Sequence, residues 1–139
     1  LYMANREVLP EGWTVPKGYA NGVVTGIGET VYLGGQIGWN SELIFECHNF
    51  IGQAEQTLRN IRDILEAAGM GPENMVRMTW YILSRDDYLE NLRPLGKVYR
   101  TILGKHYPAM SVVQVVALME SEALLEIEVT AVRAQDDNE

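Results

Sequence analysis

The run from Ala109 to Met119 restricts the architecture most. In an extended strand successive side chains point to opposite faces. Met110, Val112, Gln114, Val116 and Leu118 therefore share one face, and Ser111, Val113, Val115, Ala117 and Met119 share the other. Both are too apolar for water, so such a strand needs a layer on each side. The chain offers two apolar stripes of helical spacing, enough for one layer. The second layer implies another copy of the chain, and a homo-oligomer is expected.

The first stripe is Phe50, Ala54, Leu58, Ile61, Leu65 and Ala68, the i, i+3, i+4 spacing of one helix face. Gly69 supplies its stop, and Gly71-Pro72 forbids continuation. The second stripe is Tyr88, Leu92, Leu95, Tyr99 and Ile102, with Asp86 or Asp87 as N-cap and Gly104 as the end. Pro94 falls inside it and predicts a kink, or a restart with Pro94 in a first turn. Strands are expected from Val23 to Ile27 and from Thr30 to Trp39, linked as a hairpin through Gly28-Glu29. Further strands are expected over Met75 to Leu83, Ala109 to Met119 and Leu124 to Arg133, the last two joined by the turn Glu120-Ser121-Glu122. In the final strand Leu125, Ile127, Val129 and Ala131 suit the helices, while Glu126, Glu128 and Thr130 take the other face. The order ββ-α-β-α-ββ predicts an α+β fold, with two helices packed on one face of a mixed, mostly antiparallel sheet.

The length of 139 residues suits a single domain spanning 1–139, with residues 1–17 an irregular arm and 135–139 a frayed tail. Lys and Arg total 11 against 19 Asp and Glu. The resulting charge of −8 opposes a nucleic-acid surface, which is built from clustered cations. Cys47 is the only cysteine, so no intrachain disulfide forms and a reducing, cytoplasmic setting is expected. His48 and His106 are too few for a histidine-rich metal site. No apolar run reaches a membrane-spanning length, and no membrane partner is expected. Leu1-Tyr2-Met3 does not open a signal peptide, and Met3 reads as the natural start.

Glu126 and Glu128 project to one face of a strand. They fit a general acid/base carboxylate in an intersubunit cleft, or an exposed sheet face or an interface ion pair, as surface-strand glutamates are common. Gly34-Gly35-Gln36 presents bare backbone to a ligand or forms a β-bulge. Cys47 beside His48 is no nucleophile–base pair, because adjacent helical residues do not face each other. Trp80 reads as core, whereas Trp13 and Trp39 are candidates to wall a pocket or an interface.

Several segments in order carry a resemblance. They are Gly18-Tyr19-Ala20-Asn21-Gly22, Gly35-Gln36-Ile37, the helix ending Glu66-Ala67-Ala68-Gly69, Tyr107-Pro108-Ala109, and Glu126-Ile127-Glu128 through Ala131-Val132. Over roughly residues 18–134 the chain resembles the RidA/YjgF family of reactive enamine/imine deaminases. The resemblance implies a chorismate-mutase-like fold and a homotrimer whose sheets form a central barrel with clefts between subunits. It implies hydrolysis of enamines and imines such as 2-aminoacrylate to a keto acid and ammonia, with no cofactor and no metal. By the same resemblance Tyr19 is the pocket tyrosine, Gly35 lines the site, Ala109 offers backbone groups, and Glu126 holds or activates water. Glu126 is expected beside Met110 and Val112.

Three positions depart from the family pattern. Met110 stands where Pro-Ala-Arg-Ser has its arginine, Val112 where cysteine is frequent, and Leu92 where helix two has asparagine. A thioether makes no bidentate pair with a carboxylate, so a divergent substrate and weak 2-aminoacrylate turnover are expected. Arg77 and Arg93 are the candidate replacements. The alternative reading is a non-catalytic trimer that binds a small apolar metabolite in the same cleft. Endoribonuclease activity, attached to some relatives, is disfavoured by the charge.

Overall fold

The structure is a computed structural model, and it describes residues 4–135. The reading of Met3 as a start, and all of the acidic tail after Gln135, lie outside them. Within the arm β1 (Arg6–Val8) pairs with β2 (Gly22–Val24). The main sheet consists of β3 (Gly28–Gln36), β4 (Met75–Ile82), β5 (Ala109–Gln114) and β6 (Leu125–Ala134), in the order β3-β6-β4-β5. β6 is antiparallel to both neighbours, and β5 runs parallel to β4.

Helix α1 (Phe50–Ala67) covers one face of the sheet, with Ala54, Leu58, Ile61 and Leu65 wholly buried. Asn49 caps its start by accepting from the Gly52 N–H at 2.7 Å. At its end Gly69 takes φ +72° while the N–H groups of Gly69 and Met70 donate to the Glu66 and Leu65 carbonyls. That left-handed residue is the reason the stop is a glycine. The second helical stripe divides into α2 (Arg85–Glu90) and α3 (Leu92–Leu103), broken at Asn91. Pro94 occupies the first turn of α3, where a missing N–H costs nothing. The N-cap of α2 is Ser84, whose Oγ accepts from the Asp87 N–H, in place of the expected Asp86 or Asp87. The α+β class thus stands, with the second helix in two pieces.

Strand pairing differs from expectation in two places. β2 and β3 form no hairpin: β2 turns to the arm, and β3 pairs with β6. β5 and β6 are not hairpin partners either, since β4 lies between them. The expected strand to Met119 also ends early, at Gln114, whose side chain accepts from the Arg85 N–H. Val116 and Met119 beyond it are fully exposed in the single chain.

The buried face of β6 carries Leu125, Ile127, Val129 and Ala131 against the helices. Its other face is open from Glu126 to Thr130, beside Thr79 and Tyr81 of β4, and is buried only at its end, at Val132. The turn before β6 is tied to α1 by Gln53, which is wholly buried. Its Nε2 donates to the Cys47 and Glu122 carbonyls at 3.2 and 2.9 Å, and its Oε1 accepts from the Leu124 N–H at 2.8 Å. Gln53→Leu keeps the volume and strands these three groups. It should lower the unfolding free energy by about 2–4 kcal/mol, measured by urea denaturation.

Candidate functional site

The residues singled out in the sequence fall on two sides of the sheet. On the helix side a cavity of about 350 Å³ opens between the edge strand β5, helix α3 and the arm. Tyr19, Leu92, Met110 and Val112 all line it. Met110 and Val112 face this way because their β4 partners, Met78 and Trp80, point into the core. The sequence reading missed the cavity's other ring-bearing walls, Tyr88, Tyr99 and Tyr107, and its two cations, Lys17 and Arg100. Trp80 is buried as expected and also forms part of the wall. Its indole Nε1 has no hydrogen-bond partner among the described residues, and the Tyr88 ring stands edge-on to it at 6.1 Å. Trp13 and Trp39 stay outside the cavity: Trp13 is exposed, and Trp39 packs on Phe45.

Glu126 and Gly35 lie on the opposite, uncovered face. The register of β3 on β6 slips between Leu33 and Gln36, so Gly34 and Gly35 form a β-bulge. A Cβ built on Gly35 would overlap the Glu126 carboxylate. Only glycine lets the carboxylate lie down on the bulge. Glu126 is half-buried there, and no hydrogen bond or ion pair joins it to another described residue. Glu128, next on the same face, is engaged: Tyr81 Oη donates to its Oε1 at 2.6 Å. That hydrogen bond, then desolvation and the charges of Glu128 and Glu126, raise the Tyr81 phenol above its ordinary 10.0, against a lowering by Arg77.

Within one chain Glu126 does not sit beside Met110 and Val112. β4 separates β6 from β5, which puts the carboxylate about 10 Å across the sheet and on its other face. Ala109 shares the uncovered face with Arg77, and Arg93 is exposed on α3; neither Arg77 nor Arg93 lines the cavity. No group of three or more His, Cys, Asp or Glu suited to a metal occurs among the described residues. No helix among them is long and apolar enough to cross a membrane.

A model of the family described as endoribonuclease L-PSP matches residues 14–133. The human 2-iminobutanoate/2-iminopropanoate deaminase is 29% identical over 108 residues, 77% of this chain and 75% of that protein. The rat protein of the same name is 31% identical over 108 residues, with the same coverage of 77% and 75%. Among solved structures, YyfB of the conserved Rid protein family from Yersinia pestis superposes with a TM-score of 0.81 at 29% identity, over 94% of this chain and 100% of that one. Escherichia coli TdcF with bound serine gives 0.65 at 29% identity, over 86% and 91%. The fold is that of the Rid proteins. The chain belongs to the endoribonuclease L-PSP family, the group that includes the RidA/YjgF proteins, and its relatives at about 30% identity are named as deaminases.

Burial, followed by the charge Tyr107 would carry, raises the Tyr99 phenol well above its ordinary 10.0; burial also raises Tyr88. A folded-state pKa above the unfolded one stabilises the fold fully below about pH 10, and that contribution is lost as pH rises through the folded value. Stability should thus fall with rising alkalinity above about pH 10. Tyr99→Phe should flatten that fall in urea midpoints measured against pH, while losing the Tyr99 Oη bond to the His106 carbonyl at every pH.

Proposed function

We propose that this protein is a cofactor-independent enamine/imine deaminase, hydrolysing small reactive imines to a carbonyl compound and ammonia. The observation that carries the reading is Glu126, laid on the Gly35 bulge without a partner among the described residues while Glu128 is held by Tyr81. A half-buried carboxylate with free lone pairs is equipped to hold a water and take its proton. As the water oxygen bonds to the carbon of a protonated imine, one water proton passes to Glu126. The carbinolamine nitrogen then receives that proton, the C–N bond breaks, ammonia leaves, and the hydroxyl proton is released as the carbonyl forms. Tyr19 would orient the ligand, and backbone groups near Gly35 and Ala109 would hold its polar atoms.

Within one chain Glu126 and the cavity face opposite ways, so the reaction needs a second copy. We take the assembly to be a homotrimer in which the uncovered face of one subunit, with Glu126, meets the cavity of the next. The exposed Val116 and Met119 and the uncovered sheet face support this. The relatives' names point to short imino acids, and serine in TdcF is a ligand of amino-acid size. Met110 in place of the arginine favours a different substrate here. The apolar lining of Leu92, Leu95, Met110 and Val112 favours the second reading, a binding protein without catalysis.

Light scattering should give about three times the chain mass of 15.6 kDa. Val116→Asp should leave the chain folded by circular dichroism and split the assembly, since the position is open in one chain and a charge is costly when covered.

Against a panel of imines, Glu126→Gln should cut hydrolysis by about 100-fold or more, and Glu128→Gln much less. Mixed assemblies of Glu126→Gln with Val112→Trp, which fills the cavity, should regain about a quarter of wild-type activity by random pairing. Equal losses at Glu126 and Glu128 would assign both to structure, and an active Glu126→Gln would leave only binding.

A further inference from the structure

The cavity has a charge opposite to that of the chain. Against 19 acidic and 11 basic residues overall, its lining holds Lys17 and Arg100 and no Asp or Glu. The Arg100 guanidinium makes no hydrogen bond or ion pair to another described residue. Its guanidinium lies back along α3 over Gly96, one turn earlier, where a Cβ would stand 3.0 Å from one terminal nitrogen. Glycine in a helix interior is unfavourable by itself. Here it leaves the space that brings the guanidinium to the cavity mouth. Deeper in, the walls are Trp80, Tyr88, Leu95, Met110 and Val112.

We propose, resting on the deaminase reading above, that the ligand of this cavity is a 2-imino acid or 2-keto acid with an aromatic side chain, its carboxylate held by Arg100 with Lys17 in support. A guanidinium at the mouth is a carboxylate anchor. A cavity of about 350 Å³ walled by rings takes a ring-bearing side chain, whereas a three-carbon substrate would leave it largely unfilled and forgo those contacts. The orientation also suits the reaction. With the carboxylate outermost and the ring inside, the imine carbon, bonded to the carboxylate carbon, lies at the mouth where a second copy would bring Glu126. Arg100 thereby takes the part that Met110 has given up, from the helix in place of the strand.

The test is calorimetry on the full-length protein with three stable probes: phenylpyruvate, pyruvate, and benzyl methyl ketone, which keeps the ring and carbonyl without the carboxylate. Phenylpyruvate should bind at least about tenfold tighter than either of the others. Arg100→Gln should weaken it at least about tenfold, and Arg100→Lys, which keeps the charge and loses the bidentate fork, should recover only part of the loss. Pyruvate binding as tightly as phenylpyruvate, or an unchanged affinity in Arg100→Gln, overturns the proposal. Imines generated from phenylalanine and alanine by an amino-acid oxidase separate it from the deaminase reading. Arg100-dependent phenylpyruvate binding with neither imine hydrolysed upholds this ligand class and removes deamination. Faster hydrolysis of the alanine imine than of the phenylalanine imine overturns the ligand class and leaves deamination in place.

Discussion

The burial of one face of β6 organises everything else. Leu125, Ile127, Val129 and Ala131 are almost completely removed from solvent, pressed on α1, in a strand bonded to β3 on one side and β4 on the other. Strand periodicity leaves no freedom after that: the residues between them must point away from the core. Glu126 and Glu128 are on the uncovered face because the leucine and isoleucine beside them are not. The same parity puts Met110 and Val112 of β5 on the helix side, through the β4 residues they align with. Core and candidate chemistry are thus two readings of one alternation.

Features with local causes were legible in the sequence. The α1 stripe, its glycine stop, the restart around Pro94 and the inward face of β6 each depend on neighbours within a few residues. The choice of strand partner does not. Val23 and Val24 next to a short turn look like half of a hairpin, yet their strand joins the arm, and the two last strands are divided by β4. Partner choice is settled by which faces must be buried together across the whole chain, and the alternation within a strand is silent about it.

The candidate site divides in the same way. The glycines of β3 announce a bulge, since glycine packs nothing in a strand. That the bulge lies beneath Glu126 requires the β3–β6 register. Arg100 carries no signal in the sequence, where it is an off-stripe cation on an amphipathic helix like several others. Its meaning comes from Gly96 below it and from the arm residue Lys17 opposite. The family resemblance located Tyr19, Leu92, Met110 and Val112 around one space, but it is the sheet order that sets Glu126 on the far side of it.

The position of β6 also bears on how the chain is made. The strand that comes latest in sequence within this sheet is not at an edge but in the middle, and β3 has no other partner in the main sheet. While the ribosome is still adding residues before Leu125, the nascent chain can form α1 and the β4–β5 pair, but β3 waits unpaired. The sheet closes only when β6 takes its place between β3 and β4. Such long-range pairing is slow and leaves apolar edges open meanwhile. Closure of the sheet is therefore a late event in folding, and until β6 is in place β3 has no strand to pair with in the main sheet.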